Sequence, residues 1–169
     1  MKKILFVCTG NTCRSPMAEA LMKSALESDS ELSDKYTVSS AGISAFDGDS
    51  ASPQSLEVMK DLWGIDLSSH RSRTLTQADI DESHLILTMT RSHKGFLISM
   101  YPQAKNKIFT LKEFALDIDI SNSAGEYNYS LDITDPYGMP VQVYKRSAEE
   151  IKHVIDKLLK KLKSNPNFF

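Results

Sequence analysis

The sequence has little of what marks several common classes of protein. Its 169 residues contain only two cysteines, five positions apart, which do not make the disulfide framework of a small secreted domain. Twenty Lys and Arg nearly balance 22 Asp and Glu, for a formal net charge of -2, so no global excess of charge favours nucleic acid or a membrane surface. We therefore expect neither partner, and we expect a protein of the reducing cytoplasm.

Long apolar runs are also missing. None approaches the ~18 residues that a membrane-spanning helix needs. The amino terminus superficially resembles an export signal, because Lys2 and Lys3 precede an apolar run, but that run stops at Cys8 after four residues. We expect no export signal. The length suits a single domain with one continuous core, over residues 1–169.

Short apolar runs alternate with helical patterns along the chain. The apolar runs predict four strands, at residues 3–7, 36–40, 84–90 and 107–111. Periodicity and capping signals predict helices from Pro16, from Ser52-Pro53 to a stop at Gly64, over 92–100 and over 151–162. Strands that alternate with helices form βαβ units, so we expect an α/β fold with a parallel sheet and right-handed crossovers.

Two segments depart from this alternation. Residues 116–134 are polar, acidic and rich in Ser, Asn and Asp, and their length exceeds that of an ordinary connection. We predict that they form a surface excursion or lid. Residues 164–169 are predicted to fray, with Phe168 and Phe169 able to fold back onto the surface.

The most informative segment is CTGNTCRS, residues 8–15, which joins the first predicted strand to the first predicted helix. Such a loop aims successive backbone N–H groups into a concavity and the helix dipole adds positive potential, so phosphate fits there. Arg14 adds a planar guanidinium that can hold two phosphate oxygens. The same field favours the thiolate form of Cys8. Gly10 and Asn11 tolerate the backbone angles that a tight loop requires.

A Cys-x5-Arg spacing alone is common, and it leaves a purely structural interpretation open. Cys8 would then be a small buried apolar residue and Arg14 a surface charge. The context favours the phosphate loop instead, because a strand precedes it, Gly10-Asn11 lie within it, and Ser15-Pro16 lead into a helix.

VCTGNTCRSPMAEAL, residues 7–21, resembles the signature of the low-molecular-weight protein tyrosine phosphatase family, and Asp135-Pro136-Tyr137 resembles its acid loop. Other segments match the family in order and approximate place, namely SSAG at 39–42, HRSR at 70–73, ILTM at 86–89 and FTLKE at 109–113. The resemblance covers nearly the whole chain. The sequence departs from the family mainly in the long segment just before Asp135 and in the extended tail. It implies a three-layer sandwich in which helices flank a four-stranded parallel sheet with the flavodoxin-like strand order 2-1-3-4.

The resemblance also implies a mechanism. Cys8 would attack phosphorus and form a cysteinyl-phosphate intermediate, which water later hydrolyses. Arg14 and the loop amides would stabilise the transferring phosphoryl group, and Asp135 would act as general acid and then as general base. No metal or organic cofactor is implied. The implied partners are phosphorylated proteins, and we expect a monomer.

The remaining site residues follow from the same resemblance. The substrate would be bound by loop residues and by one residue at the mouth, namely Thr9, Gly10, Asn11, Thr12, Cys13, Ser15 and Tyr137. Ser40 and His70 would support the shape of the loop through hydrogen bonds. These two residues are therefore expected behind the loop rather than against the substrate.

Several of these residues keep a second interpretation. Asp135 precedes a proline and starts a turn well. Ser15 can donate a hydrogen bond to the Cys8 sulfur, cap the first helix, or do both. Cys13 is close enough in sequence to form a protective disulfide with Cys8 after oxidation, or it is a small buried side chain that faces the sheet.

One branch of the family removes phosphate from arginine rather than from tyrosine. Its members carry Thr between the Asn and the Cys of the loop, as Thr12 does, whereas tyrosine-specific members typically carry a larger aliphatic residue. KIFTLKEF at 107–114 also resembles the arginine branch. We expect a protein-arginine phosphatase, with a tyrosine phosphatase as the alternative.

Two other classes of function share this loop. An arsenate-reductase-type redox enzyme needs a resolving cysteine well away from the loop, and the sequence has none after Cys13. A catalytically silent phosphate-binding module would not need Cys8, Arg14 and Asp135 together. Both are less favoured than a phosphatase.

Overall fold

A computed structural model describes residues 1–119 and 131–168 of the chain. Four parallel strands form its sheet, in the order β2-β1-β3-β4. They are β1 (Lys2–Cys8), β2 (Tyr36–Gly42), β3 (Leu85–Thr88) and β4 (Ile108–Thr110). The predicted α/β class and the order 2-1-3-4 are confirmed.

Helices cover both faces of this sheet. They are α1 (Arg14–Glu27), α2 (Pro53–Trp63), α3 (Gln77–Glu82), α4 (Arg91–Met100), α5 (Leu111–Ala115) and α6 (Val141–Ser164). One face of β1, with Ile4 and Phe6, packs against α1, α2, α5 and α6, and the other, with Leu5 and Val7, packs against α3 and α4. Within the two described ranges, no helix has both the length and the apolarity needed to cross a membrane.

The start of α1 corrects the sequence-based prediction. The helix begins at Arg14, two residues before Pro16, and its capping residue is Cys13, which makes no side-chain capping bond. Ser15 therefore lies inside the first turn and is not the cap. Its hydroxyl instead accepts a hydrogen bond from the Asn11 side chain and lies 2.9 Å from the Cys8 sulfur.

The predicted excursion at 116–134 is only partly open to comparison, because residues 120–130 lie outside the described ones. At its carboxyl end, Leu131 and Ile133 are buried rather than on the surface. The Ile133 N–H donates to the Met89 carbonyl at 2.8 Å, and Asp132 accepts the Arg91 N–H at 2.8 Å. These bonds fix the segment that leads to Asp135 against the junction between β3 and α4.

Within the tail that the sequence predicts to fray, the Phe168 ring lies edge-on 5.1 Å from the ring of Phe114. The Pro166 carbonyl accepts hydrogen bonds from Lys2 and Tyr36. Phe169 lies outside the described residues, and the fraying itself stays a prediction.

Gly42, at the end of β2, is where the sheet meets the loop that follows β1. A Cβ atom there would lie 2.5 Å from the Thr9 carbonyl oxygen and 3.0 Å from the Asn11 nitrogen. Both are backbone atoms, so a side chain would have to move the loop. The absence of a side chain at Gly42 thus allows the loop to pack directly on β2.

We predict that Gly42→Ala lowers the free energy of unfolding by about 1–3 kcal/mol, the usual range for overpacking. Gly95→Ala is the matched control, because no atom lies within 4 Å of its added Cβ and the residue is inside α4. It should stabilise the protein by up to about 1 kcal/mol through helix propensity. Urea denaturation measures both values, and equal effects of the two substitutions would contradict the close approach at Gly42.

Candidate active site

The loop after β1 folds around the sulfur of Cys8. The Asn11 N–H donates to the Cys8 sulfur at 3.3 Å, and the Ser15 Oγ lies 2.9 Å from the same atom. Because α1 begins at Arg14, its positive amino-terminal end faces the loop. Cys8 itself is buried at the end of a central strand. The arrangement surrounds the sulfur with hydrogen-bonding groups and the positive end of a helix, so an anion can bind beside it.

Asn11 holds the loop from behind. It is fully buried, and its φ of 55° lies in the left-handed region that most side chains avoid. Its side-chain nitrogen donates to Ser15 and Ser40, both at 2.9 Å, and its side-chain oxygen accepts the Arg73 N–H at 3.1 Å. Its backbone carbonyl lies 2.7 Å from the His70 Nε2. Ser40 and His70 thus lie behind the loop, where they were expected.

Arg14 and Asp135 form an ion pair within the cavity, with Arg14 buried and Asp135 largely exposed. The Arg14 side chain is 5% exposed, and it donates to the Ile133 carbonyl at 3.4 Å. Its Nη2 lies 3.3 Å from an oxygen of Asp135, whose side chain is 56% exposed. The other Asp135 oxygen accepts the Tyr137 N–H at 3.1 Å. Asp135 therefore both forms a turn and presents a carboxylate to the cavity.

A cavity of about 300 Å³ opens above the loop. It brings together most of the predicted site residues, namely Cys8, Thr9, Gly10, Thr12, Cys13, Arg14, Asp135 and Tyr137. Asn11 and Ser15 support the loop without lining this cavity. Its floor is cationic through Arg14, whereas Asp49 and Asp135 make its outer part acidic.

Sequence reasoning missed three residues that line the same cavity, Ser44, Phe46 and Asp49. They belong to the loop between β2 and α2. A signal was available, because the carboxyl ends of parallel strands meet at one edge of a sheet, where ligands bind. The loop after β2 was therefore bound to lie beside the loop after β1.

His93 was also missed. Its Nε2 lies 2.8 Å from the Thr9 hydroxyl, which ties the first turn of α4 to the loop. Burial, and after it the positive charge of Arg14, lowers the pKa of His93 to about 4. The imidazole is therefore neutral at physiological pH, and it adds no second positive charge beside Arg14.

Cys13 faces α2 and α6 rather than the sheet. Its sulfur lies 3.5 Å from the Ser52 hydroxyl and 3.4 Å from the Tyr144 hydroxyl. Burial, together with the hydrogen bond to Cys13, raises the pKa of Tyr144 to about 12. Both cysteine thiols are free. Over residues 1–119 and 131–168, no three His, Cys, Asp or Glu residues are grouped as a metal ion would require.

Known proteins resemble this chain over nearly its whole length. A family model described as low molecular weight phosphotyrosine protein phosphatase matches residues 3–167. A protein-arginine-phosphatase from Geobacillus stearothermophilus is 41% identical over 162 residues, which cover 96% of this chain and 97% of that protein.

Two solved structures extend the comparison. A low molecular weight protein tyrosine phosphatase from T. tengcongensis is 44% identical with a TM-score of 0.81, covering 96% of this chain and 100% of that one. A mutant of the YwlE arginine phosphatase with a phosphorylated active-site serine is 36% identical with a TM-score of 0.81, covering 96% of this chain and 97% of that one. Similarity in sequence and fold is therefore high toward both kinds of phosphatase.

We predict that His93 makes stability depend on pH between about 6.5 and 4, the ordinary and the lowered values of its pKa. As pH falls through this window, the unfolded chain takes up a proton that the folded protein does not, so stability is lost. His93→Gln should reduce the slope of unfolding free energy against pH by up to about 1.4 kcal/mol per pH unit.

Urea denaturation at a series of pH values measures that slope. His153→Gln, on the exposed side of α6, is the matched control. A slope in His93→Gln that equals the wild-type slope would show that the buried imidazole does not have the lowered pKa.

Proposed function

The chain belongs to the low molecular weight phosphotyrosine protein phosphatase family, and we propose that this cysteine-dependent protein phosphatase acts on phosphoarginine in proteins. Overall identity does not decide between arginine and tyrosine, because the 41% and 44% identical relatives bear different names. The observation that carries the proposal is Thr12, a small polar residue on the wall of a cavity with an acidic outer part.

Phosphoarginine differs from phosphotyrosine in charge as well as shape. It joins a phosphoryl group to a polar guanidinium, whereas phosphotyrosine joins one to an apolar ring. A cavity with Arg14 at its floor and Asp135 above it matches phosphoarginine, because the phosphoryl group would lie at Arg14 and the guanidinium at Asp135. Thr12 leaves room beside the phosphorus and adds a hydroxyl, and the Ser52 N–H fixes its backbone by donating to the Thr12 carbonyl at 2.9 Å.

The proposed reaction has two steps at one sulfur. The Cys8 thiolate attacks phosphorus, the bond to the guanidinium nitrogen breaks, and a cysteinyl-phosphate forms. Arg14 and the loop N–H groups bind the equatorial oxygens, and such fixed donors favour the charge of the transition state. Water then attacks phosphorus and releases Cys8 as a thiolate. The Ser15 hydroxyl, 2.9 Å from the sulfur, stabilises that leaving group.

Asp135 is the proposed proton donor and acceptor. Its carboxyl protonates the leaving nitrogen in the first step and takes a proton from the attacking water in the second. Its position above Arg14 supports both roles, since the side chain is at the open side of the cavity. The phosphorylated active-site serine of the YwlE arginine phosphatase mutant supports a covalent intermediate by analogy.

Tyrosine phosphatase activity is the second candidate function. The rings of Phe46 and Tyr137 line the cavity and are 79% and 75% exposed, and two aromatic walls favour an aromatic substrate.

We also infer that the enzyme acts in the cytoplasm, where its two free thiols stay reduced.

We predict that Asp135→Asn separates substrates by leaving group. The amide keeps the size of the side chain but cannot supply a proton, a contribution of typically ~10²–10⁴-fold. Phosphoarginine and phosphotyrosine peptides should lose most of kcat/KM, whereas an activated aryl phosphate should lose much less. Equal losses on all three substrates would mean that Asp135 only shapes its loop.

The direct test of the substrate is kcat/KM on phosphoarginine and phosphotyrosine peptides of one sequence. We expect the wild type to prefer phosphoarginine. Thr12→Ile should shift the ratio toward phosphotyrosine by at least about tenfold, near the lower end of what one pocket side chain achieves. Thr12→Ser, which keeps the hydroxyl, is the matched control. A wild-type preference for phosphotyrosine would overturn the arginine assignment and leave the tyrosine alternative.

A further inference from the structure

Phe46 and Asp49 occupy the outer wall of the catalytic cavity. Both line it, and both are exposed to solvent. The Asp135 carboxylate, by contrast, is paired with the buried guanidinium of Arg14 at 3.3 Å. The outer pair therefore faces the part of a substrate that remains outside the cavity once the phosphoryl group reaches the loop.

The backbone that carries this pair is held rigidly by Ser72. The Ser72 hydroxyl donates to the Phe46 carbonyl and accepts the Asp49 N–H at 3.1 Å, and the Ser72 N–H donates to the Asp49 carbonyl at 2.7 Å. Gly48, with φ of 92°, makes the turn between them and donates to the Ser72 carbonyl at 2.8 Å. Ser72 is itself buried, so the turn is anchored to the body of the protein.

The two acids of this turn have different surroundings. The Asp47 carboxylate accepts the Thr74 N–H at 2.6 Å and thus closes the turn. Among residues 1–119 and 131–168, no hydrogen bond or ion pair engages the Asp49 carboxylate. Asp49 therefore presents, on an anchored backbone, a carboxylate that is available to a ligand.

We propose that Phe46 and Asp49 form a subsite for a basic side chain adjacent to the phosphorylated residue of the substrate protein. The carboxylate pairs with a guanidinium or ammonium group, and the exposed face of the ring attracts the same cation. Arginine fits best, because its planar group can stack on Phe46 while it donates to Asp49. The proposal rests on the phosphatase function. It does not depend on which phosphorylated residue the enzyme dephosphorylates.

The test uses the full chain and two peptide series, one with phosphotyrosine and one with phosphoarginine. In each series the flanking residues are Arg, Ala or Glu. The wild type should hydrolyse Arg-flanked peptides with a kcat/KM about three- to tenfold above that of Ala-flanked ones, the combined effect of an exposed ion pair and a cation–π contact. This ratio should fall in high salt, where the Debye length shortens to about 3 Å at 1 M.

Variants of Asp49 make the test specific. Asp49→Asn should bring the Arg-to-Ala ratio close to one in both series, and Asp49→Lys should invert the preference toward Glu-flanked peptides. Asp34→Lys is the matched control. Asp34 is an exposed acid just before β2, so it lies at the amino ends of the strands, whereas the cavity lies at their carboxyl ends. It should keep the wild-type ratio.

Two results would overturn the subsite. One is a wild-type kcat/KM that does not depend on the flanking residue in either series. The other is an Asp49→Asn variant that loses activity equally on all phosphoarginine peptides and on none of the phosphotyrosine peptides, which would place the guanidinium of phosphoarginine itself at Asp49. Because the ratio is measured within each series, a preference for phosphotyrosine would refute the proposed substrate without affecting this test.

Discussion

The buried side chain of Asn11 is the constraint on which the site depends. A non-glycine residue in a left-handed conformation costs of order 1–3 kcal/mol, and surrounding bonds must hold it there. Ser40 from β2 and Arg73 from the segment between α2 and α3 supply those bonds, and Ser15 from α1 adds a third. The result is an Asn11 N–H that points at the Cys8 sulfur. This geometry depends on three features: the strand order that places β2 beside β1, the close packing of the loop on Gly42, and the start of α1 that places Ser15.

A fixed loop explains why the chemistry and the selectivity come from different elements. The floor of the cavity is built by β1 and α1, which the core holds on both faces. The outer walls come from the β2–α2 loop and from the segment around Asp135, which is held by bonds of Asp132 and Ile133 to the junction between β3 and α4. Changes in the walls can therefore alter substrate choice without altering the phosphate-binding floor.

Much of the fold and of the floor could be predicted from the sequence, because the signals are local. Apolar runs marked the strands, and Ser52, Pro53 and Gly64 marked the two ends of α2. The short helices α3 and α5 were missed although Thr76 and Thr110 cap them, since a single turn leaves no periodicity. The sequence left two roles open for Ser15, and only the hydrogen bond to the Cys8 sulfur is present, because Cys13 takes the cap position. Phe46, Asp49 and His93 were missed because contacts distant in sequence, such as Ser72 and Thr9, place them.

The central claim is that phosphoryl transfer passes through the sulfur of Cys8. Trapping the intermediate tests it most directly, by rapid mixing of the Asp135→Asn variant with an aryl phosphate, followed by quenching and peptide mapping by mass spectrometry. Slow hydrolysis in this variant lets the intermediate accumulate. We expect one phosphoryl group on the peptide that contains Cys8, and none when Cys8 is replaced by Ala. A phosphoryl group on another residue, or turnover that persists without Cys8, would contradict the account.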